Sequence, residues 1–254
     1  MIAGLSKAIT LYLAPLLALT SIFLTLFAFL APVVMLHSQV SLLSVTPSTA
    51  LTDPGSSGNV DGPTVFMGAL GSCSRRNPSD DFNCTMATLS PVSTVRPFPS
   101  FPRTSLTDTH IDLSALPPNT PDLLTAPTQT TPAFIAVSLG FAIIFFFLFT
   151  AISLRAKLGP RLGAAFERPA IQRLSAWIGL LGFMIGLTAF LVLRMWFGKA
   201  VEDFNRAIQE AGKSAPQLVA STNNGFTMVW VGYAFQAVPL ICALARLHVT
   251  SGGK

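Results

Sequence analysis

Residues Ala133–Leu154 read A-F-I-A-V-S-L-G-F-A-I-I-F-F-F-L-F-T-A-I-S-L, a run without one charged side chain. A helix needs roughly 20 mostly apolar residues to cross a hydrocarbon layer about 30 Å thick. Leu11–Leu36, Ser175–Phe197 and Gly225–Leu247 reach the same length and keep their few charges near the ends. Of the 254 residues, 51% are hydrophobic and only 11% charged, against about 25% charged in a soluble domain. Nothing else in the chain could cover so much apolar surface. The expected fold class is therefore a mainly α integral membrane protein, a left-handed four-helix transmembrane bundle with spans 11–36, 133–154, 175–197 and 225–247. The first block is expected to remain as a helix. Its apolar run exceeds the 7–15 residues of a signal core, and Phe29-Leu30-Ala31-Pro32 is a poor cleavage site.

Charge sets the orientation. Loop 155–174 carries Arg155, Lys157, Arg161, Arg168 and Arg173 against Glu167, whereas no Lys or Arg follows the first block until Arg75. Positive residues stay in the cytoplasm. Residues 1–10, the basic loop 155–174 and the tail 248–254 are thus expected inside, and 37–132 and 198–224 outside, although Arg194, Lys199, Arg206 and Lys213 reduce the contrast. The pI of about 9.5 then reflects topology and contact with anionic lipid, not nucleic acid.

The outer segment 37–132 holds 13 of the 19 prolines, with seven Asp and four Arg. Its second part, 90–132, is a Pro/Ser/Thr-rich linker in which Pro97, Pro99, Pro102, Pro117, Pro118, Pro121 and Pro127 prevent regular ladders. Its first part, 63–89, is different. Pro63–Cys73 reads P-T-V-F-M-G-A-L-G-S-C, a strand pattern in which Gly68 and Gly71 allow another backbone to come close. Cys73 and Cys84 are the only cysteines outside the apolar blocks. Facing an oxidising exterior they are expected to form a disulfide, worth about 3 kcal/mol for so short a loop. A two-cysteine metal site is the alternative, but no histidine lies near in sequence, so no metal or other cofactor is expected. Asn83-Cys84-Thr85 is the single N-x-T sequon and makes Asn83 a candidate glycan site. Asp80 and Asp81 read as a solvated turn.

The second outer segment, 198–224, opens with Lys199-Ala200-Val201-Glu202-Asp203-Phe204-Asn205-Arg206. Val201, Phe204 and Ile208 recur on one helical face, and Glu202, Arg206 and Glu210 alternate in sign on another. The third span is expected to continue as a helix for three to four turns, with its apolar face on the strand region Phe66–Cys73. Within that span, Gly179, Gly182 and Gly186 form a small-residue face with a G-x-x-x-G spacing, suited to close packing inside the chain or at a dimer seam. Trp177 and Trp196 stand at opposite ends as interface anchors. Cys242 reads as a free thiol. No span carries an acid or base at its centre, which argues against a carrier or pump. His37, His110 and His248 belong to no catalytic motif. The chain is expected not to be an enzyme.

This layout, with Gly68-Ala69-Leu70-Gly71-Ser72-Cys73 followed by Cys84 and with Gly225 opening the last span, resembles the claudin-like superfamily. Among fungal branches it is similar to the calcium-regulator and membrane-fusion family of mating; a PalI-type family is the second choice. The resemblance implies a small extracellular antiparallel sheet and a plasma-membrane role in membrane organisation, cell fusion during mating and calcium influx. A PalI-like pH-sensing or cortical-domain component, or a membrane subunit of an extracellular protein-binding (effector-type) complex, are the alternatives. Expected partners are the bilayer, proteins at the extracellular face, and further copies or related chains in an oligomer. Gly68, Leu70, Gly71, Arg75 and Arg76 are the candidate interaction residues, supported by the Val201–Ile208 face.

Overall fold

The structure, a computed structural model, describes residues 12–52, 62–75, 77, 80–85, 87, 131–157, 159–212, 215 and 217–251. The chain order is α1 (Ala14–Leu30), β1 (Leu43–Pro47), β2 (Thr64–Met67), β3 (Ser72–Arg75), β4 (Asn83–Cys84), α2 (Thr131–Ser153), a 3-10 turn at Arg155–Lys157, α3 (Pro160–Glu167), α4 (Pro169–Ala211), β5 (Leu218–Thr222) and α5 (Gly225–Ser251). Among the described residues, α2, α4 and α5 are long and apolar enough to cross a membrane, and α1 is a shorter apolar helix. The linker 90–130, Arg76 and residues 1–11 lie outside the described residues.

The observed helices correct several boundaries. The first ends at Leu30, not at residue 36, and the chain turns over 31–39. Pro32 explains the stop, because it donates no N–H and disfavours helical backbone at Ala31. Conversely, α4 is a single helix of 43 residues that begins six residues before the expected span, with Pro169 in the first position, where a missing N–H is harmless. The basic loop contains α3, whose Glu167 approaches Arg155 at 3.7 Å.

Two compact units share these helices. In the helical unit (residues up to 26, 134–190 and from 227), the glycine face of α4 receives α2. A Cβ on Gly179 would stand 2.6 Å from Phe145, and one on Gly182 would stand 2.7 Å from Phe141. At Gly186 it would collide with both the Ser138 and Tyr233 hydroxyls. Ser138 Oγ also donates to the Gly182 carbonyl at 2.8 Å. The G-x-x-x-G spacing is therefore occupied within the chain. The phenylalanines of α2 divide accordingly: Phe145 and Phe149 are buried, while Phe134 and Phe147 face outward.

In the sheet unit (27–133 and 191–226), five antiparallel strands lie in the order β4-β3-β2-β1-β5. The single strand expected over Pro63–Cys73 is instead a hairpin, with Met67 opposite Ser72 and Gly68 N–H donating to Gly71 O at 2.9 Å. Gly71 adopts φ 153°, a region that favours glycine. Both β1 and β5 lie outside the expected strand region, and they pair across five residues each, from Leu43↔Thr222 to Pro47↔Leu218. Gly225 closes this corner, since its N–H donates to Ser41 O at 3.0 Å and a Cβ there would stand 2.7 Å from the same oxygen.

The C-terminal part of α4 behaves as a supporting helix: Phe204 and Ile208 are fully buried and Val201 is half-buried. Its polar tether is to β5. Asn205 Nδ2 donates to Ala220 O, and Ala220 N–H donates to Asn205 Oδ1, both at 2.9 Å. One amide thus satisfies both backbone groups on the outer side of an edge strand, where unpaired groups would otherwise recruit another chain. On the exposed side, Lys199 bonds Asp203 at 2.6 Å, which raises the lysine pKa, and Arg206 bonds Glu202 at 2.8 Å. Asn205→Ala is expected to destabilise the protein by about 1–3 kcal/mol, since both groups lose a partner. Thermal unfolding in detergent would show it, with Asn205→Asp, which keeps only the acceptor, falling between.

Candidate functional site: the disulfide-closed sheet

Cys73 and Cys84 are directly opposed residues of β3 and β4. Their sulfurs are bonded at 2.04 Å, and Cys242 is the free cysteine. The strand β4 is only two residues long, too short to hold a register by itself. The covalent link supplies that register, helped by Thr85, whose N–H donates to Ser72 O at 2.9 Å and whose hydroxyl accepts from Ser72 N–H at 3.0 Å.

The residues around the disulfide come from three places in the chain. His37 donates from Nδ1 to the Pro32 carbonyl, and the same nitrogen lies 3.8 Å from Cys73 Sγ and 3.7 Å from Cys84 Sγ. Proximity in sequence gave no hint of this histidine, so the expectation that none lies near the cysteines is corrected. Phe82 stacks between partners, with its ring 5.9 Å from His37 and 6.1 Å from Phe66. Arg75 lies over the same ring at 5.5 Å.

The motif residues divide by role. Gly68 is packed against the Ala31–Pro32 backbone, where a Cβ would collide with the Ala31 carbonyl oxygen. Leu70 is buried at 5% exposure. Gly68, Leu70 and Gly71 therefore form and seat the hairpin and present little surface. Arg75 is half-buried and packed on Phe82. Among the described residues, the exposed polar side chains here are Asn77, Asp80, Asp81 and Asn83. Asn77 and Asp80 form a turn, with Asp80 N–H donating to Asn77 O at 3.1 Å and Asn77 Nδ2 donating to Asp80 Oδ2 at 3.3 Å. This is the solvated turn read from the sequence. Among the described residues, the exposed edge of this disulfide-closed sheet carries two acids and two amides.

A second polar cluster lies in the helical unit, where Thr25, Ser138, Tyr233 and Gln236 line a small cavity with Phe190 and Ala142. It pairs hydroxyls and an amide without a carboxylate, lysine, arginine or histidine. No protein-family model, curated protein or solved structure matches this chain.

Proposed function

We propose that the chain is a non-enzymatic, claudin-like, four-span protein of the plasma membrane with both termini in the cytoplasm. It organises membranes through protein contacts made by its outer sheet, in cell fusion during mating and the calcium influx that accompanies it. The observation that carries this reading is the pairing of β1 with β5. It joins the segment after α1 to the segment after α4 in one sheet, which supports placing both on one side of the bilayer. Support for four spans also comes from α1, whose 17 residues extend about 25 Å at about 1.5 Å each, close to the hydrocarbon thickness. A disulfide-closed platform holds its side chains in place before a partner arrives, and so loses little ordering entropy on binding.

Reversing the rim charge tests this. Asp80→Lys with Asp81→Lys is expected to reach the surface in normal amount, yet to lose cross-linked protein partners on intact cells and with them fusion and calcium entry. Deleting residues 100–125 of the linker is expected to leave all three in place. Normal partners and activity in the charge-reversed protein, with loss on linker deletion, would overturn the assignment.

A further inference from the structure

The sulfurs of Cys73 and Cys84 and a ring nitrogen of His37 all lie within 4.8 Å of one another. The strand pairing and the disulfide hold β3 to β4 without an imidazole, and His37 itself is held by the Pro32 carbonyl and the Phe82 ring. Zinc takes tetrahedral sites with Zn–S about 2.3 Å and Zn–N about 2.0–2.1 Å, which separates an imidazole nitrogen from a thiolate by about 3.6 Å. The observed separations of 3.7 and 3.8 Å match that edge for both sulfurs, which move apart to two corners of the tetrahedron once their bond is broken. Thiolate and imidazole are also the donor types that zinc prefers.

We propose that reduction of the Cys73–Cys84 disulfide converts this point of the sheet into a zinc site with His37, Cys73 and Cys84 as protein ligands. A dithiol reductant breaks the sulfur–sulfur bond, supplies two electrons and two protons, and leaves as its own cyclic disulfide. Zinc then displaces one proton from each cysteine thiol. The imidazole proton moves from Nδ1 to Nε2, releasing the Pro32 carbonyl and freeing Nδ1 to bind the metal. Three protein ligands leave the fourth position for water. Cys73 is 1% exposed whereas Cys84 is half-buried, so reductant and metal enter from the Cys84 side. Disulfide and metal exclude each other, and Cys73 and Cys84 fasten β3 to β4 in either state, joined by His37 when the metal is bound. The sheet can therefore keep its form when the surroundings are too reducing for the disulfide.

Cobalt(II) is the probe, because a thiolate-to-cobalt band in the near ultraviolet and strong visible bands report sulfur ligation and tetrahedral geometry. The full chain is used with Cys242→Ala, which leaves Cys73 and Cys84 as its only thiols, and without a histidine tag. Reduction is by a phosphine, which takes an oxygen from water and leaves as its oxide. Reduced protein is expected to bind one cobalt with both signatures, and zinc is expected to displace it; oxidised protein should show neither. His37→Ala keeps both cysteines and is expected to weaken binding by more than the roughly tenfold caused by losing an outer-shell partner. Absence of the bands in the reduced protein overturns the proposal. So does equal affinity in His37→Ala, the outcome given by two thiols on an unfolded chain.

Discussion

Gly68→Ala is expected to prevent the sheet unit from assembling in its observed form, although it adds only one methyl group. That methyl would fall on the Ala31 carbonyl oxygen, 2.5 Å from Pro32 Cδ and 2.9 Å from the Ala31 carbonyl carbon. None of these is the tip of a movable side chain. To make room, the hairpin or the 31–32 backbone must shift, and the hairpin is fixed by the Cys73–Cys84 link and by pairing to β1. Overpacking typically costs about 1–3 kcal/mol where side chains can yield; against backbone the effect should lie at or above the top of that range. The expected readouts are retention before the cell surface and, in detergent, alkylation of Cys73 without added reductant. Gly140→Ala is the control. A Cβ there meets nothing within 4 Å, and alanine is favoured over glycine in a helix by about 1 kcal/mol, so this variant should be neutral or slightly more stable.

Gly186→Leu is expected to be equally damaging in the helical unit, for a different reason. Two hydroxyls, those of Ser138 and Tyr233, meet over this glycine, and the Ser138 Cβ lies 2.9 Å from the position an added Cβ would take. A leucine would push α2 from α4, break the bond from Ser138 Oγ to Gly182 O, and leave buried hydroxyls unpaired. An orphaned polar group costs about 1–3 kcal/mol in addition to the steric term. Thermal unfolding in detergent should fall well below that of Gly198→Leu, a substitution on the same helix where a Cβ meets nothing within 4 Å.

The sequence made the long helices legible because burying or spanning is the only outcome open to 20 consecutive apolar residues. The glycine face of α4 could be read for a similar reason, since Gly179, Gly182 and Gly186 recur at the helical period. The buried face Phe204 and Ile208 was equally visible, because charged residues flank it at the helical period. The sheet was less legible. Leu43–Pro47 and Leu218–Thr222 are five residues each, and one ends in proline. Neither would be stable alone. Their pairing joins Ser44 to Ser221, 177 residues apart, through hydroxyls 3.2 Å apart, and no local pattern encodes such a partner. Asn205 looked like one more polar residue of an exposed helix face until β5 stood beside it. His37 was hidden in the same way, being 36 and 47 residues from the sulfurs it approaches. Function reads less directly than fold, because a rigid platform specifies a surface without specifying its partner.

The central claim is that the segment after α1 and the segment after α4 share the outer side of the membrane, with the basic loop between α2 and α4 on the inner side. Single-cysteine labelling with a membrane-impermeant maleimide tests it most directly, in a Cys242→Ala background with Cys73 and Cys84 left bonded. Asp81, Gln217 and Arg168 are exposed and serve as reporters for the first outer segment, the second outer segment and the basic loop. The expected result is that Asp81→Cys and Gln217→Cys react on intact cells, whereas Arg168→Cys reacts only after permeabilisation. Labelling of Asp81→Cys and Arg168→Cys from the same side would contradict the account.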